Sequence, residues 1–134
     1  MYALDVADLD TFRSLLTSFY ASIPNSLRRK RSEEEKERDF HYTFYLIMRL
    51  LSTYIIFTEK ETSQGTADCV LESQDYIYIF EFKRDSTAQA AIEQIRSRGY
   101  AREYTADPRK VFLIGCNFST DSGTIDDWLA MESD

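Results

Sequence analysis

Tyr76-Ile-Tyr-Ile-Phe-Glu-Phe-Lys83 is the stretch that decides how this 134-residue chain is read. Side chains alternate across a strand, so Tyr76, Tyr78, Phe80 and Phe82 share one face while Ile77, Ile79, Glu81 and Lys83 share the other. An apolar face therefore ends in a carboxylate and an ammonium. Burying charges costs free energy unless they are paired or hold a metal, so strand stability alone does not account for them.

A second carboxylate precedes this strand. In Gly65-Thr-Ala-Asp-Cys-Val-Leu-Glu72, Asp68 alternates with Ala67 and Cys69, and Ser73-Gln-Asp75 supplies turn-prone residues between the two runs. The pattern predicts an antiparallel hairpin that sets Asp68 and Glu81 on the same side of neighbouring strands. Two carboxylates held close repel each other, and a divalent cation relieves the repulsion; oxygen-rich sites of this kind suit magnesium or manganese. A nearby lysine can orient a water or stabilise charge on a phosphate. Asp68, Glu81 and Lys83 thus form a minimal set for metal-assisted phosphodiester hydrolysis.

Periodicity supplies the frame around the hairpin. Phe12, Leu15, Leu16 and Phe19 fall at helical spacing behind Asp8 or Asp10, either of which can cap a first helix that ends near Ile23-Pro24. A second helix is expected over Glu33 to Leu51, with Phe40, Phe44, Ile47, Met48 and Leu51 as its buried stripe. Tyr54 to Phe57 suits a short strand. After the hairpin, Asp85 or Ser86 can cap a third helix that packs through Ala88, Ala91, Ile92 and Ile95 and stops at Gly99. Lys110 to Cys116 is apolar on both faces, which predicts an interior strand reached by a right-handed parallel crossover. Thr124 to Met131 fits either a final strand or a short helix. The order α-α-β-β-β-α-β describes a mixed sheet flanked by helices.

Composition fits one compact domain over residues 1–134, with 43% hydrophobic and 29% charged residues. No apolar run is long enough to cross a membrane, and the N-terminus lacks a signal-peptide pattern, so a soluble, cytoplasmic chain is expected. Cys69 and Cys116 both fall in predicted strands without CxxC spacing, which predicts reduced core thiols. The net charge of −7 opposes polyanion binding by the surface as a whole. Cations are nonetheless grouped: Arg28 to Arg31 form one run, a solvated loop or a substrate patch, and Arg96, Arg98, Arg102, Arg109 and Lys110 cluster later.

Asp68 followed by Glu81-Phe-Lys83 resembles the signature of the PD-(D/E)XK nuclease superfamily, with Ala67-Asp68 in place of the usual proline-aspartate. The chain is also similar to the nuclease-like domain at the C-terminus of a group of bacterial AAA-ATPase-like proteins. That likeness is carried by Ala21 to Pro24, Glu37 to His41, Tyr76 to Lys83, Ala91 to Ile95 with Gly99-Tyr-Ala101, Val111 to Gly115 and Trp128. At Gly65-Thr66 the chain departs from these relatives, which commonly carry an arginine after the glycine.

The resemblance implies a restriction-endonuclease-like core with a final strand, and a magnesium- or manganese-dependent nuclease acting on nucleic acid, DNA above all. Asp68 and Glu81 would hold the metal with the Phe82 carbonyl, and Lys83 would position or help deprotonate the attacking water. Glu37, at the group's position on an early helix, either reaches toward the metal or is a solvated helix start. His41 is either packed and hydrogen-bonded or functional. Gln94 and Tyr100 suit contacts to the site or substrate, against an exposed glutamine and a core tyrosine. The stripe of Tyr76, Tyr78, Phe80 and Phe82 can stack bases but suits core packing better. Glu61 and Glu72 are accessory carboxylates of little weight.

Two other functions fit the same residues. One is an inactive nuclease-like module that binds nucleic acid or a partner for an ATPase, the chain then being a C-terminal fragment of a longer protein. The other is a phosphodiesterase acting on small nucleotides.

Overall fold

The hairpin carrying the two candidate carboxylates is closed by Ser73, which donates its N–H to the Tyr76 carbonyl at 2.9 Å and accepts the Tyr76 N–H on its hydroxyl at 3.0 Å. The computed structural model describes residues 2–27, 29–51, 55–62 and 65–133. Arg28 and Tyr54 lie outside the described residues, as do the side chains of Leu51, Glu61 and Thr66.

Five strands, β1 (Ile55–Thr62), β2 (Gly65–Glu72), β3 (Tyr76–Arg84), β4 (Lys110–Phe118) and β5 (Ile125–Glu132), form one sheet in that order. β3 and β4 pair in parallel from Tyr76↔Lys110 to Arg84↔Phe118, and the other neighbours are antiparallel. The expected parallel crossover is therefore present, β4 is interior, and the segment containing Trp128 is a strand. β1 runs eight residues, longer than the short strand expected, because it pairs with the full length of β2.

The helices are α1 (Tyr2–Asp5), α2 (Leu9–Ala21), α3 (Glu33–Leu51) and α4 (Ala88–Arg98). α1 is an addition to the expected order. α2 is capped by Asp8, which accepts the Thr11 N–H, and α3 opens with a capping box in which Ser32 and Glu35 exchange bonds at 3.0 and 3.1 Å. α4 is capped by Thr87 rather than by Asp85 or Ser86. The reason is tertiary: Asp85 sits at φ +50° and accepts from the Thr120 N–H and hydroxyl, while the Ser86 N–H is taken by Asn117. Gly99 ends α4 in the left-handed region at φ +67°, where a side chain is strained.

Two cores cover the two faces of the sheet. Phe12, Leu16 and Tyr20 of α2 and Phe40, Phe44, Ile47 and Met48 of α3 pack on Tyr78, Phe80 and Phe82. Ile92 and Ile95 of α4 pack on Ile77, Ile79 and Leu113. Leu15 and Phe19 are exposed, contrary to the expected α2 stripe; Tyr20 fills that place and donates its hydroxyl to the Phe40 carbonyl. Cys69 and Cys116 are free, buried thiols. No helix among the described residues is long and apolar enough to cross a membrane.

Candidate active site

β3 orients the candidate residues through its alternation. Tyr78, Phe80 and Phe82 enter the core beneath α2 and α3, so Glu81 and Lys83 stand on the face that α4 covers. Opposite them on β4 lie Gly115 and Asn117. A Cβ at Gly115 would come within 2.4 Å of the Ala88 carbonyl oxygen. The missing side chain therefore lets the first turn of α4 lie directly on the strand pair that carries Glu81.

Asp68 sits where β2 parts from β3. The ladder between these strands ends at Cys69↔Phe80, and Ala67 packs with the α4-side core although strict alternation would place it with Cys69. β2 thus twists at Asp68. The Phe82 N–H, left without a strand partner, donates instead to Asp68 Oδ2 at 2.8 Å. On the other flank, the pairing of β1 with β2 passes over Glu59, which stands at φ +49° between Thr58↔Cys69 and Lys60↔Ala67. The register is the same on both sides of this gap, so Glu59 and Asp68 face each other as one unpaired position in an otherwise continuous ladder.

Glu81 is 3% exposed. Its Oε1 accepts from Gln94 Nε2 at 2.7 Å, and Gln94 Oε1 in turn accepts from Lys83 Nζ at 2.5 Å. No donor group reaches the buried Oε2 of Glu81, whose carboxyl instead lies against that of Asp68, close enough for the two acids to share a proton. Burial first, and the neighbouring Asp68 carboxylate second, raise the Glu81 pKa to about 8, against a smaller lowering by Lys83. Among the described residues no ion pair joins Lys83 to Asp68 or Glu81, so a neutral amide links the ammonium and the carboxylate.

The other candidates are placed differently. Glu37 pairs with Arg84 at 3.4 Å, and Arg84 follows Phe82 onto the α3 face of β3. The His41 ring lies 5.0 Å from that of Phe82. Both approach the Glu-x-Lys strand from the face opposite the two charges, with no hydrogen bond or ion pair among the described residues to Asp68, Glu81 or Lys83. Tyr100 is buried in the α4-side core. Glu72 lies at the far end of β2, held by Arg109 at 2.9 Å. The aromatic stripe is core from Tyr78 to Phe82.

Sequence reading did not single out Gly115, Asn117 or Arg84. Asn117 is 2% exposed; it accepts from the Ser86 N–H at 2.8 Å and donates to Asp126 at 2.7 Å, tying down the turn that follows Lys83. The one signal available was a polar residue closing the apolar run Val111 to Cys116.

Among the described residues no group of three or more His, Cys, Asp and Glu side chains gathers in a form able to hold a metal. The donor set at this site is two carboxylates and the nearby main chain. That set fits a divalent cation of the magnesium type, which keeps much of its water and binds through one or two carboxylates. The mutual repulsion of the ionised Glu81 and Asp68 carboxylates would be relieved by such an ion in place of a proton.

Comparison with known proteins agrees with this geometry. A family model described as the PD-(D/E)XK nuclease superfamily matches residues 35–128. An uncharacterized protein in the vnfD 5' region of Azotobacter chroococcum mcd 1 is 31% identical over 120 residues, 88% of this chain and 23% of its own length. The chain thus spans about a quarter of that relative. No solved structure matches it. Members of the matched superfamily generally use divalent metals, and the five-stranded mixed sheet flanked by helices is consistent with a restriction-endonuclease-like fold. With the family model covering more than half of its length and a buried Glu81 beside Asp68 and Lys83, this chain belongs to the PD-(D/E)XK nuclease superfamily.

Proposed function

We propose that this protein is a divalent-metal-dependent nuclease that hydrolyses phosphodiester bonds of DNA with magnesium or manganese. One observation carries the reading: the Glu81 carboxyl is buried against that of Asp68, while Gln94 stands between Glu81 and Lys83. A module that had lost its chemistry gains nothing from burying one acid against a second, an arrangement that costs stability once both ionise.

Asp68 and Glu81, with the Phe82 carbonyl, hold the cation. When bound, the metal lends Lewis-acid stabilisation to charge developing on the phosphoryl oxygens. Lys83 donates a hydrogen bond to the attacking water, and Gln94 fixes the ammonium in place. Water gives up a proton to solvent as its oxygen bonds to phosphorus, the P–O bond to the leaving sugar oxygen breaks, and that oxygen takes a proton from solvent, so that one water is consumed for each bond cut. Glu37 and His41 act indirectly, Glu37 by holding Arg84 and His41 by packing on Phe82. In a longer parent chain this domain serves an ATPase, a part of the reading that rests on sequence likeness and on the greater length of the Azotobacter relative.

The experiment is cleavage of single-stranded, double-stranded and small nucleotide substrates with magnesium, with manganese and with EDTA. Metal-dependent cutting of DNA that vanishes in Lys83→Ala supports the proposal. Turnover of dinucleotides alone identifies a small-substrate phosphodiesterase. DNA binding with no cutting of any substrate identifies the inactive module.

A further inference from the structure

The structure holds a cavity that the nuclease reading does not use. A cavity of about 520 Å³ opens at the start of β4, between the C-terminal end of α4, the turn over Arg102–Tyr104 and the end of β5. Its size is within the range of small-molecule pockets. Lys110 and Val111 of this cavity pair with Tyr76 and Ile77, whereas Glu81 pairs with Gly115. The cavity and Glu81 are thus separated by about five strand residues, roughly 17 Å at the usual rise.

The cavity combines an apolar wall with a basic rim. Tyr104, Val111 and Leu113 line the wall. The Tyr104 hydroxyl is already engaged by Lys60 at 2.6 Å and by Glu72 at 3.3 Å, so its ring is held in place. Around the rim stand Arg96, Arg102, Arg109 and Lys110, in a chain whose net charge is −7. Arg109 is spent on Asp107 and Glu72. Arg96, Arg102 and Lys110 form no ion pair with a carboxylate among the described residues; Arg96 donates only to the Met131 sulfur. Gly99 makes room for one of them, since a Cβ there would meet Arg102 Nε at 2.6 Å. With Asp107 neutralised by Arg109, Glu132 is the remaining acidic residue of the lining and an acceptor for sugar hydroxyls.

We infer that this cavity binds a nucleoside monophosphate, with the base against Tyr104 and Val111 and the phosphate among Arg96, Arg102 and Lys110. Two guanidinium groups and an ammonium beside a rigid apolar wall suit a phosphate monoester joined to a flat ring. The site is independent of metal and of phosphodiester cleavage.

Calorimetric titration with adenosine monophosphate in EDTA tests this on three proteins: wild type, Glu81→Gln and the exposed pair Arg102→Ala/Lys110→Ala. Wild type and Glu81→Gln should bind alike, and the paired variant should bind roughly tenfold more weakly or worse, a loss of at least one decade in Kd. Amide shifts at Gly99 and Arg102 on titration should mark the place. Equal affinity in the paired variant, loss of binding in Glu81→Gln, or no binding by wild type each overturns the inference. Binding of a short oligonucleotide through Arg102 and Lys110 with none of the mononucleotide also overturns it, assigning the rim to a polymer backbone instead.

Discussion

Asp68 accepts the backbone N–H of Phe82 at 2.8 Å and so completes the β3 ladder at the point where β2 leaves it. One carboxylate thereby ties the fold to the candidate site. Asp68→Ala should leave that N–H without its partner and cost about 1–3 kcal/mol of stability. Asp68→Asn keeps an acceptor and removes the charge, so it should melt near the wild type while losing the stabilisation that magnesium confers. Chemical denaturation with and without magnesium checks both; an Asn variant that still gains stability from magnesium contradicts the role given to Asp68.

Glu81 sets a pH dependence whose sign is opposite to that of the other shifted carboxylates. Its folded pKa of about 8 lies above the ordinary 4.5, so between those values the folded chain holds more protons than the unfolded one. Stability contributed by the neutral form is complete below about pH 4.5 and is lost as pH rises through about 8. Asp8, Glu35, Asp85 and Asp107 are lowered by their hydrogen bonds and act at the acid end, where stability falls as pH falls. In EDTA, Tm should therefore decline from mild acid toward pH 8.5, and Glu81→Gln should flatten the decline. Saturating magnesium should reverse it, because the ion binds the ionised form.

Lys83 and Gln94 should separate chemistry from metal binding. Lys83→Ala removes the ammonium proposed to stand beside the scissile phosphate and should abolish cleavage while leaving metal affinity close to wild type. Gln94→Ala frees both Lys83 and Glu81 and should lower cleavage by a smaller factor, with rescue in Gln94→Asn only if the shorter amide still spans the two. Single-turnover cleavage beside metal titration measures the split. Full activity in Lys83→Ala removes the lysine from the mechanism.

Gly115→Ala should act at a distance through α4. The added methyl would press on the Ala88 carbonyl at 2.4 Å, and overpacking of this kind costs about 1–3 kcal/mol. Cleavage should fall further than stability alone explains, since Gln94 moves with the helix. A variant with wild-type Tm and wild-type cleavage would show that α4 does not depend on this contact.

Much of the arrangement was legible in sequence because strand alternation is local. Residues 76–83 announced both faces of β3, and the run at Gly65–Glu72 announced its hairpin partner. What escaped depends on contacts between distant segments. Asp85 looks like a helix cap, yet the loop at Thr120 claims it and Thr87 takes the position. Leu15 and Phe19 share helical spacing with Phe12 and Leu16, but how much of α2 faces the sheet is fixed by packing. Glu37 and His41 fall on one face of α3, while only the fold shows that they meet Arg84 and Phe82. The bridge made by Gln94 across Glu81 and Lys83 joins residues 11 and 13 positions apart through the α4 crossover.

The most direct measurement is anomalous diffraction from a crystal soaked in manganese. A single strong peak is expected between the carboxylates of Asp68 and Glu81, within coordination distance of both, and it should disappear in Asp68→Asn. A site empty of manganese at saturating concentration, with Lys83 swung in to pair directly with Glu81, contradicts that expectation.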